Sequence, residues 1–324
     1  MSFPLRKARV ARFNNRPAGL VPAVHTDARQ AETAEGVGAT RIAALRIGPG
    51  VPRHGFVGLV AATYARACLM TLTDDQLVTL VTPEMGILPN GITVDTPDGF
   101  SFERSLSVGA RAAVRGGVLR IDDGFCIDLR ASRPWRSHLD RLALNIAHAQ
   151  VRQAWDAAWS ALRVHGAFAP LVHRGGVAIT RMFEATRDLD SACARQAMSA
   201  LIGLGEGSTP AGDDYLVGHF VGLWSCAGAD GARQRFIADL GGSLREMASR
   251  TNRVSRVYLE AAAEGEVSER LATLVYRIAA GAGQESTAVA AAAALAVGHS
   301  SGACCVLGLL LGSAAWGPAD WPQV

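Results

Sequence analysis

Hydrophobic and polar positions fall into two textures along the chain. From roughly residue 15 to residue 130 the apolar residues come in short β-type runs: "GFVGLVAATYARACLMTL", "DQLVTLVT", "GITVDTPDGFSFERSLSVGARAAVRGGVLRI" and "GFCIDL". Pro-Asn-Gly at 89–91, Pro-Asp-Gly at 97–99, Gly-Gly at 116–117 and Asp-Asp-Gly at 122–124 separate them, which is the turn chemistry of antiparallel strands. A twisted antiparallel sheet or a small barrel is expected. After "RASRPWRS", Ala, Leu, Arg and Glu take over and apolar residues recur every three or four positions. That spacing predicts helices over 137–164, 177–186, 189–202, 210–226, 231–248, 253–264, 268–280, 286–297 and 301–315. The fold class is therefore α+β, with a β-rich domain over 1–134 and a mainly α-helical domain over 135–324. No fixed repeat marks a solenoid.

Composition narrows the function classes. A chain of 324 residues, 49% hydrophobic and 19% charged, buries a substantial core and is not globally disordered. The net charge of +3, with arginines spread among acids, gives no footprint for nucleic acid or a membrane surface, so neither is expected as a partner. The six cysteines form no CxxC pair and read as reduced core residues. The start "MSFPLRKARVARF" lacks a secretory apolar segment, although its arginines carry a trace of transit-peptide character; a cytoplasmic location is expected. Residues 287–316 are apolar enough to suggest a membrane span, but Gly-His-Ser-Ser-Gly at the centre leaves two halves each too short to cross. Two buried helices joined by a tight polar loop are expected there.

The chemistry concentrates in three stretches. In "GLGEGSTPAGDDYLVGHFVGLW" (203–224) a Ser208 or Thr209 hydroxyl can cap a helix whose first position is Pro210. Gly203, Gly205 and Gly207 exceed what a cap needs, and their backbone can turn several N–H groups to one point in front of a helix N-terminus, a natural anion site. Asp213 and Asp214 have two readings, either complementing the helix dipole or orienting a substrate amide or Mg²⁺; about 100° apart on the helix, they should not share a role. Asp214, Gly218, Gly222 and Ser225 form a stripe of small residues, and Ser301, Cys305, Gly308 and Gly312 form another behind "GHSSG" (298–302). The two helices are expected to cross and bring both loops together. His299 is a structural histidine or a site residue. In "SRTNRVSRVYLEAAAEG" (249–265), Thr251, Asn252 and Ser255 stand at a helix start, and Arg250, Arg253 and Arg256 either meet an anion or form a solvated face.

Three familiar motifs fail on context. Gly203-Leu204-Gly205 follows a helical pattern rather than the strand a dinucleotide fingerprint needs. No lysine stands where a P-loop requires it. Gly298-His299-Ser300-Ser301-Gly302 spells a nucleophile elbow, but an alanine-rich helix precedes it and no histidine follows it.

The ordered set "GLGEGSTPAGDDYLVG", "TNRVSRVYLEAAAEGEVSERL" and "GHSSGACCVLGLLLG", behind a β-rich half containing "LPNGI", resembles the AllH-type family, which includes a subunit of oxamate carbamoyltransferase. The resemblance implies conversion of oxalurate and phosphate to oxamate and carbamoyl phosphate in allantoin degradation, in a complex with two other kinds of subunit. It departs from the family pattern at Glu206, where proline is common, Ser208, where leucine is common, and Cys304, where an aspartate often stands. Site residues expected on this reading are Gly205, Gly207, Ser208, Thr209 and Gly212 with Thr251 and Ser255 for the anion, and Ser300, Ser301 and Gly302 opposite. Asp213, Asp214 and His299 are the expected catalytic residues, with Mg²⁺ as the metal that Asp213 or Asp214 would hold. The other readings are a non-catalytic subunit whose glycine stripes only allow tight packing, and a small-anion sensor.

Overall fold

The computed structural model describes residues 40–122 and 124–318; the transit-peptide reading of the first residues lies outside these. Its first part is an eight-stranded barrel built from β1 (Thr40–Ile47), β2 (Val57–Thr63), β3 (Ala67–Leu72), β4 (Leu77–Val81), β5 (Gly91–Val94), β6 (Arg111–Arg115), β7 (Val118–Ile121) and β8 (Phe125–Asp128). The order β5-β4-β3-β2-β6-β7-β8-β1 closes on itself because β1 also pairs with β5, and a two-residue β9 (Arg133–Pro134) lies along β1. Alternation aims every second side chain inward. Cys68, Met70 and Leu72 of β3, Ala112 and Val114 of β6 and Leu119 and Ile121 of β7 meet in one core with Val60, Ile92 and Ile127.

Two expectations about the sheet are corrected. β1–β8 and β4–β5 pair in parallel, so the barrel is mixed rather than antiparallel. Turn residues report only on the hairpins they close. Gly116 and Gly117, at φ 58° and 75°, make the tight two-residue turn from β6 to β7, whereas Pro89-Asn90-Gly91 ends a longer link that returns the chain parallel to β4. β1 itself stands outside the β-type runs picked out by pattern.

The rest is helical: α2 (Ala149–His165), α3 (Ala169–Arg187), α4 (Ser191–Leu201), α5 (Ala211–Ala227), α6 (Gly231–Met247), α7 (Arg253–Ala263), α8 (Glu269–Ala279), α9 (Gln284–Leu295) and α10 (Ser301–Ala314), preceded within the barrel by a single turn, α1 (Phe102–Ser105). They share a second apolar core around Trp155, Tyr215, Phe220 and Leu310. The helix expected from 137 starts only at Ala149. His138 sits at φ 49°, and the preceding Ser137 is clamped by Glu266 and the Gly265 carbonyl. Leu144 donates its N–H to the Ser225 carbonyl, so this stretch satisfies its backbone on other elements. α3 begins earlier than expected, at a Pro170 suited to a first turn. Gly175 inside it gives room to Leu204. The cysteines are all free, yet Cys193 is exposed and Cys126 and Cys305 are half-buried, so only Cys68, Cys226 and Cys304 are the core residues expected. No described helix is long and apolar enough to cross a membrane.

Barrel and helices are joined by charge. The Arg46 guanidinium grips Glu269 of α8 with both nitrogens, and Glu269 also accepts from the Ile87 N–H at 3.1 Å. Partial burial pushes this carboxyl up, but the hydrogen bonds from Arg46 and Ile87 outweigh it and hold it below the usual range. Arg270 reaches the Glu84 carbonyl, and Arg253 of α7 pairs with Asp75 and Thr71.

Candidate functional site

α5 and α10 run side by side in the same direction, because contacts advance together along both. Gly218 lies on the Cys305 carbonyl, and Gly222 on the Leu309 carbonyl and the Gly312–Ser313 peptide. From the other side Gly308 lies on the Tyr215 carbonyl and Gly312 on the His219 carbonyl. Each contact of one helix is thus mirrored by the other, an approximate twofold whose axis follows the helices. The sequence shows it in the equal spacing of Gly212, Gly218, Gly222 and of Gly302, Gly308, Gly312. Parallel packing sets the two N-termini together. Their dipoles present positive ends to the same point, where an anion is stabilised by about 0.3–1 kcal/mol per helix. Beneath this end, buried His219 bonds Thr186 through Nε2 at 2.9 Å and faces the Tyr215 hydroxyl, and burial pushes its imidazole down to about 3.

The two loops meet as expected. Thr209 Oγ1 and Ser301 Oγ are 2.7 Å apart. Gly203, Gly205 and Gly207 all take positive φ, at 74°, 117° and 104°. Among the described residues the backbone N–H groups of 205–209 and of Ala211 donate to no carbonyl or side chain. One expectation changes, since neither Ser208 nor Thr209 caps α5. Pro210 takes the capping position with no side-chain bond, Ser208 is exposed, and the Thr209 hydroxyl turns to Ser301 instead. Gly212 and Gly302, each the second residue of its helix, press on the Leu201 and Ala294 carbonyls, a backbone contact that admits no side chain. Glu206 is exposed near Arg174, at 3.9 Å. His299 is exposed and makes no hydrogen bond among the described residues; Ser300 is half-buried, without a capping bond of its own.

The aspartates divide as helical geometry requires. Asp213 accepts from the Gly203 N–H at 2.8 Å and from the Thr251 hydroxyl at 2.5 Å, so it pins the glycine loop to the start of α7. Asp213→Ala is expected to lower unfolding stability by about 2–4 kcal/mol, from the loss of two hydrogen bonds to a buried carboxyl group, and Thr251→Val by less; urea denaturation measures both. Asp214 faces the other way, toward Thr209 and Ser301, the residue 6% exposed and its Oδ2 without a hydrogen-bond partner among the described residues. Burial pushes its carboxyl up to about 7; nearby Asp213 adds to this, and the Ser301 and Thr209 hydroxyls oppose it. Serving different partners, the two carboxylates do not chelate one ion. No group of three or more His, Cys, Asp or Glu among the described residues is arranged to hold a metal.

α7 forms a third wall. It packs across α5, its Asn252 caps the Ser255 N–H, and Ser255 Oγ, on a residue 2% exposed, has no partner among the described residues. One turn further, Tyr258 stands near Asp214 and Cys305, and burial together with those two groups pushes its phenol up to about 12. Tyr258 escaped the sequence reading; its signal was the three-residue step from Ser255 on a helix already assigned. The three arginines are engaged elsewhere: Arg250 on Ser199, Arg253 on the barrel and Arg256 on Glu260.

The molecule is thus a β-barrel protein whose helical part sets the N-termini of two parallel helices and their glycine-rich loops side by side. Residues 201–313, spanning all three walls, match the family described as oxamate carbamoyltransferase subunit AllH, and residues 42–134, the barrel, match the AllH family N-terminal domain. The chain belongs to the AllH family. No curated protein and no solved structure matches it.

Proposed function

We propose that this chain is the substrate-binding subunit of a carbamoyltransferase that moves a carbamoyl group between a small ureido acid and phosphate, as in oxalurate and phosphate giving oxamate and carbamoyl phosphate during allantoin degradation. The observation that carries the reading is the buried Asp214 Oδ2, left without a donor among the described residues beside the Thr209–Ser301 pair, at the end of a loop whose 205–209 N–H groups have no partner among those residues. Such a surface is complementary to a molecule with amide hydrogens at one end and anionic oxygens at the other. A ureido acid fits the α5 half, its amide hydrogens on Asp214 and its anionic end on the 205–209 N–H groups. Phosphate fits the α10 half, where Cys304 replaces a carboxylate and Ser300, Ser301 and His299 line the rim. Catalysis then rests on orientation and on stabilising charge at the carbonyl. Residues 1–134 act as a separate domain on this reading, and other subunits complete the enzyme.

Calorimetric titration tests the assignment. Oxalurate, phosphate and carbamoyl phosphate are each expected to bind, and Thr209→Val to weaken oxalurate roughly tenfold, the value of one hydrogen bond. Absence of heat with all three would leave the alternative, a structural subunit in which the glycines serve packing alone.

A further inference from the structure

Carbamoyl transfer out of a ureido acid breaks a bond between carbon and an amide nitrogen, and an amide anion is too basic to depart without a proton. An acid must stand within reach of that nitrogen. Asp214 is the candidate: a carboxyl oxygen without a partner among the described residues, on a residue 6% exposed, against the hydroxyl pair that bridges the two helix ends. The twofold isolates it further. The position related to Asp214 is Cys304, wholly buried with its thiol pushed up to about 12, and the position related to Asp213 is Ala303. The titratable groups facing Asp214 are Asp213 on its own helix, Tyr258 from α7 and Cys304 and Cys305 from α10. Burial keeps the phenol and both thiols neutral, and Asp213 is occupied by Gly203 and Thr251. With Asp213 turned to those partners, Asp214 is left as the proton donor beside the hydroxyl pair.

We propose that Asp214, in its neutral form, delivers the proton to the departing nitrogen, an inference that rests on the carbamoyl-transfer reading. In the step, an oxygen of HPO₄²⁻ bonds to the terminal carbamoyl carbon, and the bond from that carbon to the acyl-bearing nitrogen breaks with its electron pair on nitrogen. The carboxyl hydrogen of Asp214 moves to that nitrogen, giving a primary amide and an aspartate carboxylate. The hydrogen still on the new phosphoryl group then passes to the carboxylate. Asp214 ends as it began, and carbamoyl phosphate leaves as the dianion. A carboxyl held at about 7 suits this cycle, since neither form is trapped.

The test compares two carbamoyl donors in the full chain with its partner subunits. One is oxalurate; the other is an aryl carbamate, whose phenolate leaves without a proton. With phosphate as acceptor, Asp214→Asn is expected to lose about 10²–10⁴-fold in kcat/KM for oxalurate, and with it the fall in kcat/KM as pH rises through 7. The aryl carbamate is expected to lose less than about tenfold. Equal losses on both donors overturn the proposal, as does an unchanged rate with oxalurate. Wild-type enzyme inactive on both donors overturns the carbamoyl-transfer reading itself. Where the Asn variant folds poorly, Asp214→Ala with added formate carries the test: restored oxalurate turnover supports the assignment, and none overturns it.

Discussion

Gly308→Ala is expected to prevent stable folding of the helical part, with a loss of at least about 4 kcal/mol against a total of about 5–15 kcal/mol for a typical domain. A Cβ there would fall inside the Tyr215 carbonyl oxygen and 2.7 Å from the His219 nitrogen. These are backbone atoms of a neighbouring helix, so no rotamer change relieves the overlap. Gly218→Ala meets the Cys305 carbonyl in the mirrored way and is expected to behave alike. Gly242→Ala is the control. It lies in α6 with nothing within 4 Å of the added carbon, and the exchange is expected to gain about 0.5–1 kcal/mol through helix propensity. Thermal melting of the three variants separates close backbone packing from a general intolerance of side chains at helical glycines.

The second large effect is on pH. His219 titrates at about 3 when folded against 6.5 in the open chain, so between these values the unfolded chain binds more protons. Its contribution is complete above pH 6.5 and is lost as pH falls toward 3, by up to about 1.4 kcal/mol per unit. Asp214 works in the opposite sense. Its folded value of about 7 lies above the open-chain 3.8, so the folded chain binds more protons and stability declines as pH rises from 3.8 to 7. Over the shared window the two slopes cancel. Asp214→Asn removes one of them, and its stability is expected to climb steeply from pH 4 to 6.5 while the wild type stays nearly flat across this pair's window. Above pH 7 the variant is expected to exceed wild type by about 1–3 kcal/mol, the cost of an ionised carboxylate left buried. A variant curve parallel to wild type across the window would show that the Asp214 carboxyl does not titrate above its open-chain value in the folded chain.

Much of this arrangement was legible from residue spacing. Glycines at 218, 222, 308 and 312 can stand on helix faces for little reason other than close approach, and they led to the meeting of Thr209 with Ser301. The opposed directions of Asp213 and Asp214 followed from helical geometry alone. What local pattern lacked was partners distant in sequence. The Thr209 hydroxyl had an adjacent helix to cap, and only the fold supplies Ser301, 92 positions away, in its place. The parallel pairing of β4 with β5 is likewise invisible, because turn chemistry encodes hairpins and not the return of a longer link. β1, "TRIAALRI", owes its place to strands on either side of it rather than to its own composition.

Closure of the barrel bears on how such a subunit joins others. Among the described residues each of the eight strands has a hydrogen-bonded neighbour on both flanks, and only the two-residue β9 offers a further edge. A companion protein therefore cannot dock on the eight barrel strands by donating a strand of its own. Recognition there has to run through projecting side chains, such as Val57 and Leu59 with the neighbouring Arg111, whose chemistry a companion must match residue by residue.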